Sequence, residues 1–402
     1  MKYIILIGDG MGDYPIEALG GLTPIEKAST PNLDRLAKEG LIARVRTTPE
    51  GLSPGSDVAI MTLMGYNPKG VLTGRGPLEA AALNIPLNPG DSAFRLNLVT
   101  LDLGDDIIMR NHAAGDITSP EAAELLEALT KNLPLKNRTV HQGVSYRNLL
   151  VWPDGADLNL PSLPPHDYRD QSVKKFLYDQ ALEPVMSLVK ASWAVLDTHP
   201  VNQKRRAQNL PPANSIWLWG QGQAPKIRTY REKWGLSGAT VSAVDIIRGL
   251  ALYSGLEPLT VPGATGLLDT NYQGKVSAGL KALKEKDLVI IHLEAPDEMS
   301  HQGDLAAKLK AIENFDKLIV GPVLEGLRDM GPYRLMAACD HFTTLKLRTH
   351  SDDPVPMVFY DSTKPAASGT AGYSEKNSLA SGRLIPDGPT LGEFIFGPER
   401  PL

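Results

Sequence analysis

The chain has 402 residues, 42% hydrophobic and 22% charged, with a formal net charge of −5. That length allows one large or two ordinary domains with a sizeable core, and that composition belongs to ordered globular proteins. No basic block beyond Lys204-Arg205-Arg206 argues for nucleic acid as a partner, and no uninterrupted apolar run of about 18 residues offers a membrane span. The single cysteine, Cys339, excludes an internal disulfide, and the apolar run before Gly8 is too short for a signal-peptide core, so a cytoplasmic protein is expected.

In chain order, residues 3–10 (YIILIGDG) read as a strand buried on both faces and closed by a glycine turn. Residues 30–40 (TPNLDRLAKEG) predict a helix with Thr30 as cap, Pro31 in the first turn, Leu33, Leu36 and Ala37 on one face, and Gly40 as its end. Residues 41–48 predict the next strand, so the chain opens as an α/β sheet. Residues 50–68 (EGLSPGSDVAIMTLMGYNP) place Ser56 in a turn just before an apolar run of helical spacing.

From about 76 to 275 the character changes, with Pro-, Asn- and Asp-rich stretches at 84–91, 152–167 and 209–214. Strand-like pieces at 93–103 and 143–152 lie between them, and a helix starts near 118 with Ser119 as cap and Pro120 at its first position. From 285 the first pattern returns. Residues 286–297, 333–341 and 355–360 read as buried strands, and 304–331 as a long amphipathic helix kinked or broken at Gly321-Pro322. The expectation is an α/β domain with a mostly parallel sheet flanked by helices, residues 1–75 with 276–402, interrupted by an α+β domain, residues 76–275.

Acidic and histidine residues gather at predicted strand ends: Asp9; Asp297 and His301; Asp340 and His341; and His350 nine residues on. In an open parallel sheet those ends face one crevice. Three carboxylates converging there repel one another unless cations compensate them, and Asp with His suits divalent ions. The set exceeds what one tetrahedral ion needs, so two ions are expected, an arrangement suited to phosphoryl transfer. Each residue alone has a plainer reading, as a turn residue or on a solvated helix face. His292 reads as a core histidine or one supporting a ligand, and Cys339 as a small core residue.

Ser56 reads first as a helix cap. The same position puts its oxygen in the positive field of a helix N-terminus, where an anion is stabilised. No G-x-S-x-G elbow, P-loop or dinucleotide fingerprint is present.

IGDGMGD, PGSDVA…GYNP, EAPDEMSHQGD and CDH…H, in this order, resemble the alkaline phosphatase superfamily. Within it the chain is similar, nearly end to end, to the cofactor-independent phosphoglycerate mutases of the shorter archaeal type, through TPNLDRLAKEG, TGRGPLEAA, AFRLNLVTL, ANSIWLWGQG, VPGATG and TNYQGK. The resemblance implies an alkaline-phosphatase-like core and two divalent ions (Mn²⁺, Mg²⁺, Zn²⁺ or Co²⁺). Asp297, His301 and His350 would hold one ion, and Asp9, Ser56, Asp340 and His341 the other. Ser56 would take the phosphoryl group of 3-phosphoglycerate and return it to the other hydroxyl of glycerate, with no bisphosphoglycerate and no nucleotide. The inserted domain would bind the substrate and act as a lid. Candidate contacts are Arg95, His112, Arg147, Arg205, Arg206 and Lys233, with His166 as a further possibility. Two other readings stay open: a related metal-dependent phosphotransferase or phosphatase, for example one acting as a homoserine kinase, and a non-enzymatic binding protein on the same fold.

Overall fold

The computed structural model describes residues 1–156, 158, 160–366 and 368–398. The chain divides into two compact units, residues 1–72 with 226–402, and residues 73–225.

The first unit is built on an eight-stranded sheet in the order Leu384–Ile385, Leu41–Val45, Val355–Asp361, Tyr333–Ala338, Lys2–Gly8, Leu288–Leu293, Gly238–Val241 and Glu257–Leu259. Both pairings of Val355–Asp361 are antiparallel and the other five are parallel. Lys2–Gly8 lies centrally, pairing Ile5 with Ile290 on one side and Met336 on the other. Ile4 to Ile7, Leu288 to Ile291 and Leu335 to Ala338 are all buried, as continuous apolar runs with both faces covered require. Three strands therefore end side by side, and the segments following them carry Asp9, Asp297, Asp340 and His341, with Asp297 on the helix Ala295–Gln302.

Residues 226–275, expected in the inserted domain, belong to the first unit. Gly238–Val241 pairs in parallel with Leu288–Leu293. A strand of four residues is too short for its periodicity to stand out among Gly- and Pro-rich neighbours.

Three helix expectations change in detail. Pro31–Glu39 starts where expected, but Thr30 makes no side-chain cap bond. Asp316 caps the helix instead, accepting from Asn32 N (3.2 Å) and Leu33 N (2.7 Å). The helix Ser119–Asn132 is capped by Thr118, with Glu121 closing a capping box. The region 304–331 is Leu305–Asn314, a π-helical turn Phe315–Val320 and Gly321–Gly326, so the irregularity comes just before Gly321-Pro322.

The second unit has a five-stranded antiparallel arrangement. Ser92–Leu103 pairs with Ile107–Asn111, Arg147–Trp152 and Ser215–Gly222, and Thr139–Val144 forms a hairpin with Arg147–Trp152. Its own apolar core includes Phe94, Leu96, Leu125, Leu129, Val189 and Trp217. No helix among the described residues is long and apolar enough to cross a membrane.

Candidate metal and nucleophile site

Two groups of side chains meet at the strand ends of the first unit. Asp297, His301 and His350 form one, Asp9, Asp340 and His341 the other, and within each the potential ligand atoms lie within 4.8 Å of one another.

In the first group, Asp297 and His301 lie one turn apart on the helix Ala295–Gln302, which Gly303 ends in the left-handed conformation. His301 Nε2 is 3.2 Å from Asp297 Oδ2, His350 Nε2 is 3.5 Å from Asp297 Oδ1, and the two Nε2 atoms are 3.0 Å apart. His301 Nδ1 is 2.9 Å from Arg348 O, which only accepts, so Nδ1 carries a proton and Nε2 is directed inward. Burial alone would raise the Asp297 pKa, but the hydrogen bonds from His301 and His350 hold it well below the usual carboxylate range. The bond to Asp297 in turn pushes His301 up to about 9.

The second group is buried. Asp340 Oδ1 accepts from Gly10 N (3.0 Å) and His341 N (2.8 Å), which turns Oδ2 inward. Asp9 Oδ2 is 2.8 Å from His292 Nε2, and Ser242 Oγ is 3.2 Å from His292 Nδ1. His292 is thus a buried support for Asp9. Asp9 Oδ1 and Asp340 Oδ2 have no hydrogen-bond partner. They lie 3.6 and 3.2 Å from His341 Nε2, and Ser56 Oγ is 3.2 Å from the same nitrogen. Burial, then the charges of Asp340, Asp297 and Glu294, raise the Asp9 pKa well above its ordinary value. Orphaned carboxylate oxygens in the interior are costly, and a divalent cation would satisfy both together with the imidazole. The donor set therefore fits a metal ion.

The two groups touch, because the His341 and His350 rings stack with centroids 4.0 Å apart. Gly10 adopts φ +62°, and a Cβ there would lie 2.6 Å from Thr343 Oγ1 and 2.7 Å from Asp297 Cα, so only glycine lets the Asp9 loop pass this close.

Ser56 is the first residue of the helix Ser56–Leu63, with Gly55 at the cap position and no side-chain cap bond. The expected capping role therefore does not occur: the hydroxyl turns to His341, while the position at the helix start remains.

The substrate-contact candidates separate. In the second unit Arg95 stacks over Trp219 (4.3 Å) and pairs with Glu79 (3.0 Å). His112 lies 6.0 Å from both Tyr146 and His166, His166 lies 5.5 Å from Trp219, and Arg147 lies 5.5 Å over Tyr146. These four basic residues share one aromatic cluster. Arg205 does not join them. It is buried and donates to Pro211 O, Ala114 O and Glu121, so its guanidinium is spent inside the unit. Arg206 binds the Asp197 carboxylate and carbonyl beyond the helix Glu183–Leu196. Lys233 belongs to the first unit, where it donates to Gly65 O (2.7 Å) and covers the Trp234 ring (4.0 Å). Sequence reasoning missed Thr343, which bonds Asp297, and Lys308, which bonds Gly12 O, Asp13 and Thr343 O. A threonine two residues after Asp340-His341, or one lysine in a Lys-rich helix, carries no spacing signal.

Comparison with known proteins agrees from independent directions. Residues 37–202 match the family described as 2,3-bisphosphoglycerate-independent phosphoglycerate mutase. A probable 2,3-bisphosphoglycerate-independent phosphoglycerate mutase of Geobacter sulfurreducens is 44% identical over 398 residues, 98% of this chain and 100% of the relative. The 2,3-bisphosphoglycerate-independent phosphoglycerate mutase of Methanothrix thermoacetophila is 47% identical over 361 residues, 89% of this chain and 90% of the relative. Among solved structures, a Pyrococcus horikoshii protein superposes with a TM-score of 0.81 at 28% identity, covering 98% of this chain and 96% of that one. The cofactor-independent phosphoglycerate mutase of Thermoplasma acidophilum does so with a TM-score of 0.64 at 26% identity, covering 98% and 99%.

Proposed function

The chain belongs to the 2,3-bisphosphoglycerate-independent phosphoglycerate mutases, and from that premise we propose that it interconverts 3-phosphoglycerate and 2-phosphoglycerate through a phosphoserine on Ser56. The observation that carries this reading is the convergence of Ser56 Oγ, His341 Nε2 and two unsatisfied carboxylate oxygens. Asp297, His301 and His350 are assigned one divalent ion, and Asp9, Ser56, Asp340 and His341 the other. Mn²⁺, Mg²⁺, Zn²⁺ and Co²⁺ all suit such ligands. Bound ions would stabilise charge on the phosphoryl oxygens and lower the pKa of the Ser56 hydroxyl.

In this account Ser56 Oγ gives up its proton and attacks phosphorus, the bond from phosphorus to O3 breaks, and O3 takes a proton. Glycerate O2 then gives up its proton and attacks the same phosphorus, the bond to Ser56 Oγ breaks and Oγ takes a proton back, so no water is consumed and no second phosphate donor enters. The helix that starts at Ser56 favours negative charge at that end. The second unit is assigned the substrate-binding role, with Arg95, His112 and Arg147 meeting the carboxylate. The substrate belongs to glycolysis and gluconeogenesis, which assigns the protein to the cytoplasm.

The test is incubation of metal-loaded protein with 3-phosphoglycerate and no bisphosphoglycerate. The expected product is 2-phosphoglycerate. Release of free phosphate alone would point to a phosphatase, and ATP-dependent phosphorylation of homoserine to a kinase.

A further inference from the structure

The two ligand groups are joined by a side chain that so far has no function. Thr343 lies two residues after His341, in the strand Phe342–Thr344, directly across from His350 of the strand Thr349–Ser351. It is fully buried. Its Oγ1 is 2.5 Å from Asp297 Oδ1 and 3.1 Å from His341 Nδ1, so one hydroxyl touches a member of each group. Gly10 passes close by: a Cβ there would lie 2.6 Å from the same oxygen.

A hydroxyl has one proton. An ionised carboxylate only accepts, so that proton goes to Asp297. Thr343 Oγ1 then meets His341 Nδ1 as an acceptor, and Nδ1 must carry a proton. In the neutral ring, the form that binds a cation, Nε2 is therefore the bare nitrogen. Nε2 is the atom that faces Ser56, Asp340 and Asp9. The opposite tautomer would leave Nδ1 bare, set two lone pairs against each other between it and Thr343 Oγ1, and put an N–H where an ion must sit. Groups behind a metal ligand act in this way: they fix the tautomer and the ring orientation.

We propose that Thr343 is a positioning residue of the site, its hydroxyl fixing the His341 tautomer that presents Nε2 to the Ser56 group while holding Asp297 of the other group beside it. The consequence for metal binding rests on the two-ion reading above; the tautomer itself does not.

Three proteins test this: the wild type, Thr343→Val, which keeps the shape and loses the hydroxyl, and Thr343→Ser, which keeps the hydroxyl. In metal-free protein labelled with ¹⁵N-histidine, long-range ¹H–¹⁵N spectra report each tautomer, and His341 is identified by the signal lost in His341→Gln. The wild type and Thr343→Ser should hold His341 protonated on Nδ1. Thr343→Val should shift it to Nε2 or to a mixture, and should bind titrated Mn²⁺ about 10- to 100-fold more weakly. The proposal is overturned by wild-type His341 protonated on Nε2, a result that needs no variant to fold. It is also overturned by a Thr343→Val protein with the wild-type tautomer and Mn²⁺ affinity, or by Thr343→Ser failing as Thr343→Val does. A wild type with the expected tautomer that binds no Mn²⁺ supports the role of Thr343 and contradicts the two-ion reading instead.

Discussion

Lys308 Nζ lies 2.9 Å from Asp13 Oδ2, and neither side chain is more than 3% exposed. The ammonium also donates to Gly12 O (3.2 Å) and Thr343 O (2.7 Å). One buried cation thus ties the loop carrying Asp9 to the loop carrying Asp340 and His341. Removing it would strand a carboxylate in the interior, so Lys308→Met should destabilise the protein by about 3–5 kcal/mol. Adding Asp13→Asn should recover part of that loss. Denaturant unfolding of the two single variants and the double variant checks the coupling, and strictly additive losses would deny it.

His292 gives a second prediction. Its bond to Asp9 Oδ2 fixes which carboxylate oxygen is turned inward. His292→Leu should keep the fold and lower divalent-ion affinity about 10- to 100-fold. Calorimetric titration with Mn²⁺ measures this directly, and unchanged affinity would remove His292 from the site.

Glu375 predicts a pH dependence of stability. Burial raises its pKa from 4.5 to about 7, although Thr23 Oγ1 and Asp13 N both donate to it. Below about pH 4.5 the carboxyl is protonated in the folded and the unfolded chain alike. Between there and pH 7 the folded chain keeps a proton that the unfolded chain has lost, so stability falls as pH rises through this window and levels off above it. The shift corresponds to roughly 3 kcal/mol. Glu375→Gln should therefore gain on the wild type by up to that amount between pH 5 and pH 8 in unfolding free energy. A constant difference would show that Glu375 does not titrate there.

Metal removal should be visible in stability as well as in turnover. Without an ion, Asp9 Oδ1 and Asp340 Oδ2 remain buried and unpaired. Chelated protein should unfold at a lower temperature than protein given Mn²⁺ back, since a ligand that binds only the folded chain stabilises it. Elemental analysis should find two ions per wild-type chain and one in Asp340→Asn.

Much of this was legible in the sequence because it depends on unbroken apolar strands with chemistry at their ends. Ile4 to Ile7, Leu288 to Leu293 and Leu335 to Ala338 announce buried strands, and the residues that follow them are the ones that converge. What escaped was whatever depends on tertiary partners. The cap of Pro31–Glu39 comes from Asp316, far along the chain, and Arg205 reads as a candidate substrate contact until the carbonyls of Ala114 and Pro211 are seen to take its guanidinium. The place of 226–275 turned on the four-residue strand Gly238–Val241, too short to declare itself. Ser56 was rightly placed at a helix start, yet its hydroxyl bonds to His341 and not to the helix.

Ser56 as carrier of the phosphoryl group is checked by trapping that group. Metal-loaded protein quenched during turnover with 3-phosphoglycerate should yield, on peptide mass spectrometry, a phosphate on Ser56. Ser56→Ala should lose that modification and at least about a thousandfold in rate while keeping its fold. Turnover of the wild type with no phosphorylated Ser56, or a Ser56→Ala variant that still turns over at a comparable rate, would contradict the account.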